Sequence, residues 1–239
     1  MARLVGTGLL QQLLSRFSGD PAEATLNKSL NGYPRNHNYR VRGTALAPSR
    51  KLLRRWSLIS RLYPQPMLSI LDVGSCKGFF VLKAAMRGCA RAVGIDVHAP
   101  FVGLATEAAR LLGLLGAQFH LRGLEQFADD LERFGGPFHT VQLISTYHYL
   151  YWGSGLEAKG YRSHEAILGM LAKVCSAQVL FANPLEIAAA PADIQQKAAR
   201  QGVCGYTTAD FMAAARRHFN VEQVDFMDRK RPLFRFTKR

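Results

Sequence analysis

Three short segments carry side chains that could bind a nucleoside, and the first has two glycines close to an aspartate. The segment 70-ILDVGSCKGFF-80 ends an apolar run with Asp72 and continues with Gly74 and Gly78. Glycines let a backbone approach a ligand closely, and N–H groups at the start of the next helix can meet a carboxylate or phosphate. Dinucleotide turns follow Gly-x-Gly-x-x-Gly, and Cys76 stands where the second glycine would be. The segment therefore favours a nucleoside without a pyrophosphate.

Two further acids follow later apolar runs. In 92-AVGID-96, Asp96 lies 24 residues after Asp72 and could accept two hydrogen bonds from a ribose diol. In 122-RGLEQF-127, Glu125 could face an adenine amino group. The spacing of the first two acids predicts a nucleoside held across neighbouring strand ends.

The elements that must position these residues alternate between strand and helix from Met67 onward. Strands are predicted at 69–74, 91–97, 117–123, 139–146 and 177–184. Helices are predicted between these strands, one of them over 124–135. The last two strands, 221–227 and 232–238, should form an antiparallel hairpin. The pattern predicts an α/β fold with a Rossmann-like, seven-stranded, mostly parallel sheet and an antiparallel last strand.

Residues 1–66 are predicted to form a separate N-terminal helical appendage or lid, and residues 67–239 the catalytic domain. Helices are expected over 1–18 and 49–63, the second capped by Ser49 and ended by Pro64, with an irregular segment at 31–49 between them.

Charge and composition narrow the class of protein. The net charge of +14 is concentrated at the ends: +9 over residues 1–64, −1 over 65–228 and +6 over 229–239. Basic ends could meet RNA, an anionic lipid surface or an acidic substrate, or could only maintain solubility. No apolar run reaches the roughly 18 residues of a spanning helix. The four cysteines have no Cys-x-x-Cys spacing, and no signal-peptide cleavage site is evident, so a reduced, cytoplasmic protein without a bound metal is predicted.

Residues 68–239 resemble class I S-adenosylmethionine (SAM)-dependent methyltransferases. LDVGSCKGFF resembles their first motif, VGIDV their ribose-binding acid, and the closing hairpin the end of their sheet. The resemblance implies SAM as cofactor, and a glycine turn that is tight because SAM lies against its backbone. It places the cofactor against the following residues: Asp72, Gly74, Ser75, Cys76, Gly78, Asp96, Val97, Leu124, Glu125, Ser145 and Thr146.

The segment 145-STYHYL-150 resembles the branch of this family with a histidine after strand four. That branch includes chain-terminating methyltransferases of surface polysaccharides and some quinone and tRNA-base enzymes. Two positions depart from the family pattern: His139 stands where many members carry Asp, and 181-FANP-184 lacks the acid common in strand five.

The reaction end of such a site is expected around 147-YHYLYW-152, which surrounds one histidine with four aromatic residues. Aromatic faces attract a sulfonium cation by about 0.5–2 kcal/mol each. His148 is the candidate general base for a hydroxyl acceptor. The other residues predicted to orient the acceptor or to form a lid are Tyr147, Tyr149 and Asn183, and Tyr33, His37, Tyr39 and Trp152.

Three functions remain open on the sequence. The first is methyl transfer to a small-molecule metabolite. The second is methylation of RNA or tRNA, with the basic ends contacting phosphates. The third is attack at the aminocarboxypropyl carbon of SAM, by another amine or by SAM's own, which releases methylthioadenosine. The oligomeric state stays undetermined.

Overall fold

The N-terminal segment contains a β-hairpin between two helices. The computed structural model describes residues 20–155, 160–202, 205–228 and 231–239, so the helix predicted at 1–18 lies outside the described residues. Over its described residues, 20–66, the segment forms α1 (Pro21–Leu30), a 3₁₀ turn (Arg35–His37), β1 (Tyr39–Arg42), β2 (Ala45–Pro48) and α2 (Arg50–Ile59). The prediction that 31–49 is irregular is wrong for the hairpin, in which Tyr39 and Val41 are buried and the intervening arginines face solvent.

Helix α2 begins as predicted and ends earlier than predicted. The side chain of Ser49 accepts a hydrogen bond from the Leu52 N–H at 3.4 Å, which confirms the predicted cap. The helix stops at Ile59, four residues before the predicted end at Tyr63, because the chain turns toward the sheet over 60–68. Tyr63 is buried there and donates to the side-chain oxygen of Gln142 at 2.5 Å.

The N-terminal segment packs directly onto the sheet domain. One apolar cluster joins its buried residues to those of the first sheet strand and the following helix. The Trp56 ring lies 6.3 Å from that of Phe79 and 6.4 Å from that of Phe80. Buried Lys77 donates from Nζ to the carbonyl oxygens of Leu30 (2.9 Å) and Gly32 (3.0 Å), at the end of α1. The segment and the glycine turn are therefore tied by both apolar and polar contacts.

The central sheet has the predicted strand content and directions. Its seven strands are β3 (Ser69–Val73), β4 (Arg91–Asp96), β5 (Ala117–Leu121), β6 (Phe138–Ile144), β7 (Cys175–Ala182), β8 (Phe219–Asp228) and β9 (Arg231–Lys238). They are ordered β5-β4-β3-β6-β7-β9-β8. The pairings from β5 through β7 are parallel, and β9 pairs antiparallel with both β7 and β8. The predicted α/β fold with an antiparallel last strand is confirmed.

Helices cover the sheet and connect its parallel strands. They are α3 (Phe79–Ala85), α4 (Ala99–Leu111), α5 (Leu124–Asp129), α6 (Tyr147–Trp152), α7 (His164–Val174), α8 (Ala192–Gln201) and α9 (Thr208–His218). The single helix predicted over 124–135 is wrong, because α5 ends at Asp129 and a separate 3₁₀ turn follows at Leu131–Phe134. Helix α8 was not predicted. In the described ranges, no helix has the length and apolar character needed to cross a membrane.

Strand register brings the predicted ligand-binding segments to one edge. Asp72 is paired with Gly94 in β4 and with Gln142 in β6, and Asp96 is paired with Leu121 in β5. These strands are parallel, so the loops that follow them all leave at their carboxyl ends. In open α/β sheets this edge is where ligands bind.

Candidate active site

A cavity of about 900 Å³ opens at the carboxyl edge of the sheet. Its walls come from the loops after β3, β4, β5 and β6, from the N-terminal segment and from the β8–β9 hairpin. Seven residues that the resemblance assigns to the cofactor line this cavity: Gly74, Cys76, Asp96, Val97, Leu124, Ser145 and Thr146. The other four lie outside the lining: Asp72, Ser75, Gly78 and Glu125.

The glycine turn is tight for reasons internal to the protein. Gly74 and Gly78 have φ values of +74° and +78°, which disfavour side chains. A Cβ at Gly74 would lie 2.4 Å from Thr146 Oγ1, and one at Gly78 would lie 2.6 Å from the ring of Phe119. The expected close approach of SAM is therefore not needed to explain these two glycines. Backbone conformation and packing against neighbouring side chains already require them.

The amides of the turn are used within the protein. The N–H groups of Gly74 and Ser75 both donate to the Ile95 carbonyl at 2.9 Å, and that of Gly78 donates to Ser75 O at 2.9 Å. The Cys76 N–H donates to Asp96 Oδ2 at 2.8 Å. These four amides are thus engaged and do not form a phosphate cradle, which fits a cofactor with a ribose and no pyrophosphate.

Asp96 is arranged to accept hydrogen bonds from the cavity. Its Oδ1 accepts from the His98 N–H at 2.9 Å and its Oδ2 from the Cys76 N–H. An ionised carboxylate has about four acceptor positions, so acceptor capacity remains for a hydroxyl group. Burial raises the pKa of Asp96, and the backbone N–H groups of His98, Cys76 and Val97 oppose that shift.

The wall beside Asp96 has a partly apolar character. Leu124 is buried at the start of α5, and the rings of His98 and Phe101 lie 3.9 Å apart between their centroids. Arg122 lines the same wall and pairs with Asp130 at 2.8 Å. Glu125, predicted to face adenine, is instead exposed, with its Oε2 3.5 Å from the Tyr161 hydroxyl.

His148 lines another part of the cavity. Its side chain is 2% exposed, and neither ring nitrogen has a hydrogen-bond partner among the residues described. Burial lowers its pKa to about 3, with a further contribution from nearby Arg231. The ring is therefore neutral at pH 7. Tyr149 lines the cavity beside it, and burial raises the pKa of its phenol to about 12.

Three residues predicted at the reaction end lie outside the cavity. The side chain of Asn183 accepts from the Tyr147 N–H at 2.8 Å and donates to Leu143 O at 2.7 Å. The Tyr147 hydroxyl contacts His164, and Trp152 is buried in the apolar core. In these contacts the three residues position α6 and do not reach into the cavity.

Of the residues predicted to form a lid, some line the cavity and others lie outside it. Tyr33, which is 84% exposed, and His37 line the cavity from the N-terminal segment. Tyr39 is buried outside it and donates from its hydroxyl to Lys77 O at 2.6 Å. Burial and then Arg55 lower the pKa of His37 to about 3.

Two arginines at the cavity were not predicted from the sequence. Arg55 is buried in α2 and Arg231 begins β9, and both line the cavity. Arg231 donates to the Ser145 hydroxyl and pairs with Asp228. A signal for Arg55 exists, since it falls on the buried stripe of α2 between Leu52 and Ile59. No comparable signal marks Arg231 within its run of basic residues.

The backbone also has two unusual conformations at the cavity. Cys76 and Ser145 adopt φ values of +50° and +61°, a region that residues with side chains rarely occupy. Such conformations are concentrated at binding sites. Away from the gaps in the described chain, no group of three His, Cys, Asp or Glu side chains is placed to hold a metal ion.

The molecule has the Rossmann-like fold of class I SAM-dependent methyltransferases. Its structure is similar to that of EvdMO1, with a TM-score of 0.62 and 14% identity over 92% of this chain and 48% of that one. It is similar to WbdD, a bifunctional kinase-methyltransferase, with a TM-score of 0.55 and 17% identity over 79% and 38% of the two chains. It also resembles a putative SAM-dependent methyltransferase from Listeria monocytogenes, with a TM-score of 0.54 and 16% identity over 79% and 99%.

These identities establish the fold alone. The chain spans about two fifths of the length of WbdD. No protein-family model matches the sequence, and no curated protein matches it.

Proposed function

We propose that the protein is a SAM-dependent methyltransferase acting on a small-molecule acceptor. The observation that carries this proposal is the composition of one cavity. Asp96, with acceptor capacity beside the glycine turn, lines the same cavity as His148, a buried imidazole without a hydrogen-bond partner among the described residues. A cofactor site and a proton acceptor thus share one enclosure, as methyl transfer to a hydroxyl requires.

The residues that would hold SAM follow from the strand ends. Asp96 would accept from the ribose hydroxyls, Leu124 would pack on the adenine, and the backbone at Gly74 and Cys76 would line the methionine end. When bound, SAM supplies a methyl group activated by a sulfonium. Tyr149, with its aromatic face in the cavity, would attract such a cation by about 0.5–2 kcal/mol.

His148 would take the proton from the acceptor hydroxyl at one of its ring nitrogens. Since the ring is buried and neutral, no water competes for that nitrogen. Its low pKa makes it a weak base in the ligand-free protein, so groups that bind near Arg231 would determine its strength during the reaction.

RNA is a second candidate acceptor, favoured by one observation. Six basic side chains between residues 35 and 54 are exposed, and none forms an ion pair within the chain as described: Arg35, Arg40, Arg42, Arg50, Lys51 and Arg54. Such a surface could contact phosphates, and binding that weakened steeply with salt would support it. Salt-insensitive activity on a metabolite would contradict it.

The decisive experiment incubates the purified protein with SAM alone and identifies nucleoside products by mass spectrometry. We expect intact SAM or slow formation of S-adenosylhomocysteine, and calorimetric binding of S-adenosylhomocysteine that Asp96→Asn weakens. Enzyme-dependent methylthioadenosine without an acceptor would overturn methyl transfer and indicate attack at the aminocarboxypropyl carbon. A heat-killed sample controls for spontaneous breakdown.

A further inference from the structure

A buried arginine in the cavity wall forms no salt bridge with any carboxylate in the described part of the chain. The Arg55 side chain is 7% exposed and lines the cavity. Its hydrogen bond is to an imidazole nitrogen, from Nη1 to His37 Nε2 at 3.4 Å. Within the described part of the chain, no carboxylate oxygen lies within 4.0 Å of it. Burying a cation without a salt-bridged anion is unfavourable, and among the described residues the opposite charge that acts on Arg55 is the more distant Asp228, so an anion bound in the cavity would stabilise it.

The other two guanidinium groups in the cavity wall do have carboxylate partners. Arg122 pairs with Asp130, and Arg231 pairs with Asp228. Burial and then the charge of Arg231 lower the pKa of Arg55 to about 10, while Asp228 opposes the shift. This region of the cavity therefore has a positive field that one carboxylate offsets only in part.

We propose that Arg55, with Arg231 beside it, binds an oxyanion of the acceptor, either a carboxylate or a phosphate. The inference rests on the proposed function and specifies its substrate class. Arginine suits both anions because its planar fork can form two parallel hydrogen bonds. The acceptor would thus be an acidic metabolite whose charged group is held apart from the hydroxyl that reacts.

The sheet order separates Arg231 from the residues proposed to hold the adenosine of SAM. Asp96 and Leu124 follow β4 and β5, on one side of the glycine turn in the sheet order. Arg231 begins β9 on the other side, bonded to Ser145 after β6 and close to His148. The cationic pair therefore shares its end of the cavity with the candidate base. A volume of about 900 Å³ lies at the upper end of the range for ligand sites, so a second molecule has room beside a nucleoside.

An anion at this position would also act on the base. The field of Arg231 lowers the pKa of His148, and a bound carboxylate or phosphate would offset that field. His148 would then become more basic when the acceptor is in place, which couples substrate recognition to proton transfer.

Calorimetry on the full chain saturated with S-adenosylhomocysteine tests the proposal. The probes are benzoate and phenyl phosphate, with benzamide as the neutral control. We expect at least one oxyanion to bind and benzamide not to bind. Arg55→Met should weaken that binding about ten- to hundredfold, the range for hydrogen bonds to charged groups. Arg54→Met, on the exposed side of the same helix, should change it less than twofold. Arg55→Lys keeps the charge and should retain part of the affinity, which provides a folded variant if Arg55→Met unfolds.

Three results would overturn the inference in distinguishable ways. Equal responses to both oxyanions and benzamide would show that no oxyanion subsite exists. If Arg55→Met weakened S-adenosylhomocysteine tenfold or more and left methylthioadenosine unchanged, the anion would be the carboxylate of the cofactor. If the unmodified protein bound neither nucleoside, the proposed function itself would fail, together with the inference.

Discussion

Replacing Gly74 with alanine tests whether the glycine turn is constrained by the protein or by its ligand. A Cβ there would meet Thr146 Oγ1 at 2.4 Å, Cγ2 at 2.5 Å and Cβ at 3.0 Å, in a backbone with φ of +74°. The left-handed conformation costs about 1–2 kcal/mol and overpacking about 1–3 kcal/mol. The smaller conformational entropy of the unfolded alanine chain returns about 0.4–1 kcal/mol. We expect Gly74→Ala to lower the free energy of unfolding by about 2–4 kcal/mol.

A double-mutant cycle separates the two contributions. Thr146→Ala removes the two nearest atoms, so in that background Gly74→Ala should cost only about 1–2 kcal/mol. Urea unfolding of the four proteins measures the coupling, and calorimetry with S-adenosylhomocysteine follows the site. An equal cost of Gly74→Ala in both backgrounds would refute the packing explanation. Unchanged stability with lost nucleoside binding would instead show that ligand approach requires the glycine.

Three further predictions concern Asp96, His148 and Lys77. Asp96→Asn should weaken S-adenosylhomocysteine at least about tenfold, because one acceptor oxygen becomes a donor, and titration calorimetry measures it; unchanged affinity would contradict the ribose role. The pKa of His148 falls to about 3 on folding, so unfolded chains take up protons that folded chains do not as pH falls below about 6.5. This lowers the free energy of unfolding by about 2 kcal/mol at pH 5. In urea unfolding, His148→Gln should therefore lose less stability between pH 7 and pH 5 than the unmodified protein. An identical loss of stability in both proteins would show that other groups cause it. Lys77→Met leaves buried carbonyl groups unpaired and should cost about 2–4 kcal/mol, with faster hydrogen exchange at 30–38; unaltered exchange would show that Lys77 does not hold this segment.

The sheet was predictable because its strands are short, buried and separated by turn residues. The apolar run before Asp72 and the run ending at Asp96 have the continuous character of strands covered on both faces. The β1–β2 hairpin was not predictable in the same way. Its alternation consists of two inward residues, Tyr39 and Val41, among basic and turn-forming neighbours, and such a short pattern is also typical of loops.

Site residues fixed by strand ends were easier to place than those on a helix. Asp96 and Ser145 follow strands whose parallel register brings them to the cavity. After β6, however, α6 begins at Tyr147, so helical rotation decides which side chains face the cavity. His148 and Tyr149 face it, whereas Tyr147 is turned into the core. The aromatic residues of this segment do not show which side chains face the cavity unless the first residue of the helix is known.

The placement of Arg55 and Arg231 affects how the protein acquires its site during synthesis. Arg55 lies in the second helix described, and Arg231 opens the last strand of the sheet. A nascent chain emerges from its N-terminus and can fold in parts before it is finished. The wall carrying Arg55 can form early, but the cationic pair is incomplete until β9 has been made and inserted between β7 and β8. An acidic metabolite would therefore stabilise chains only after that insertion, and partly synthesised chains would receive no such protection.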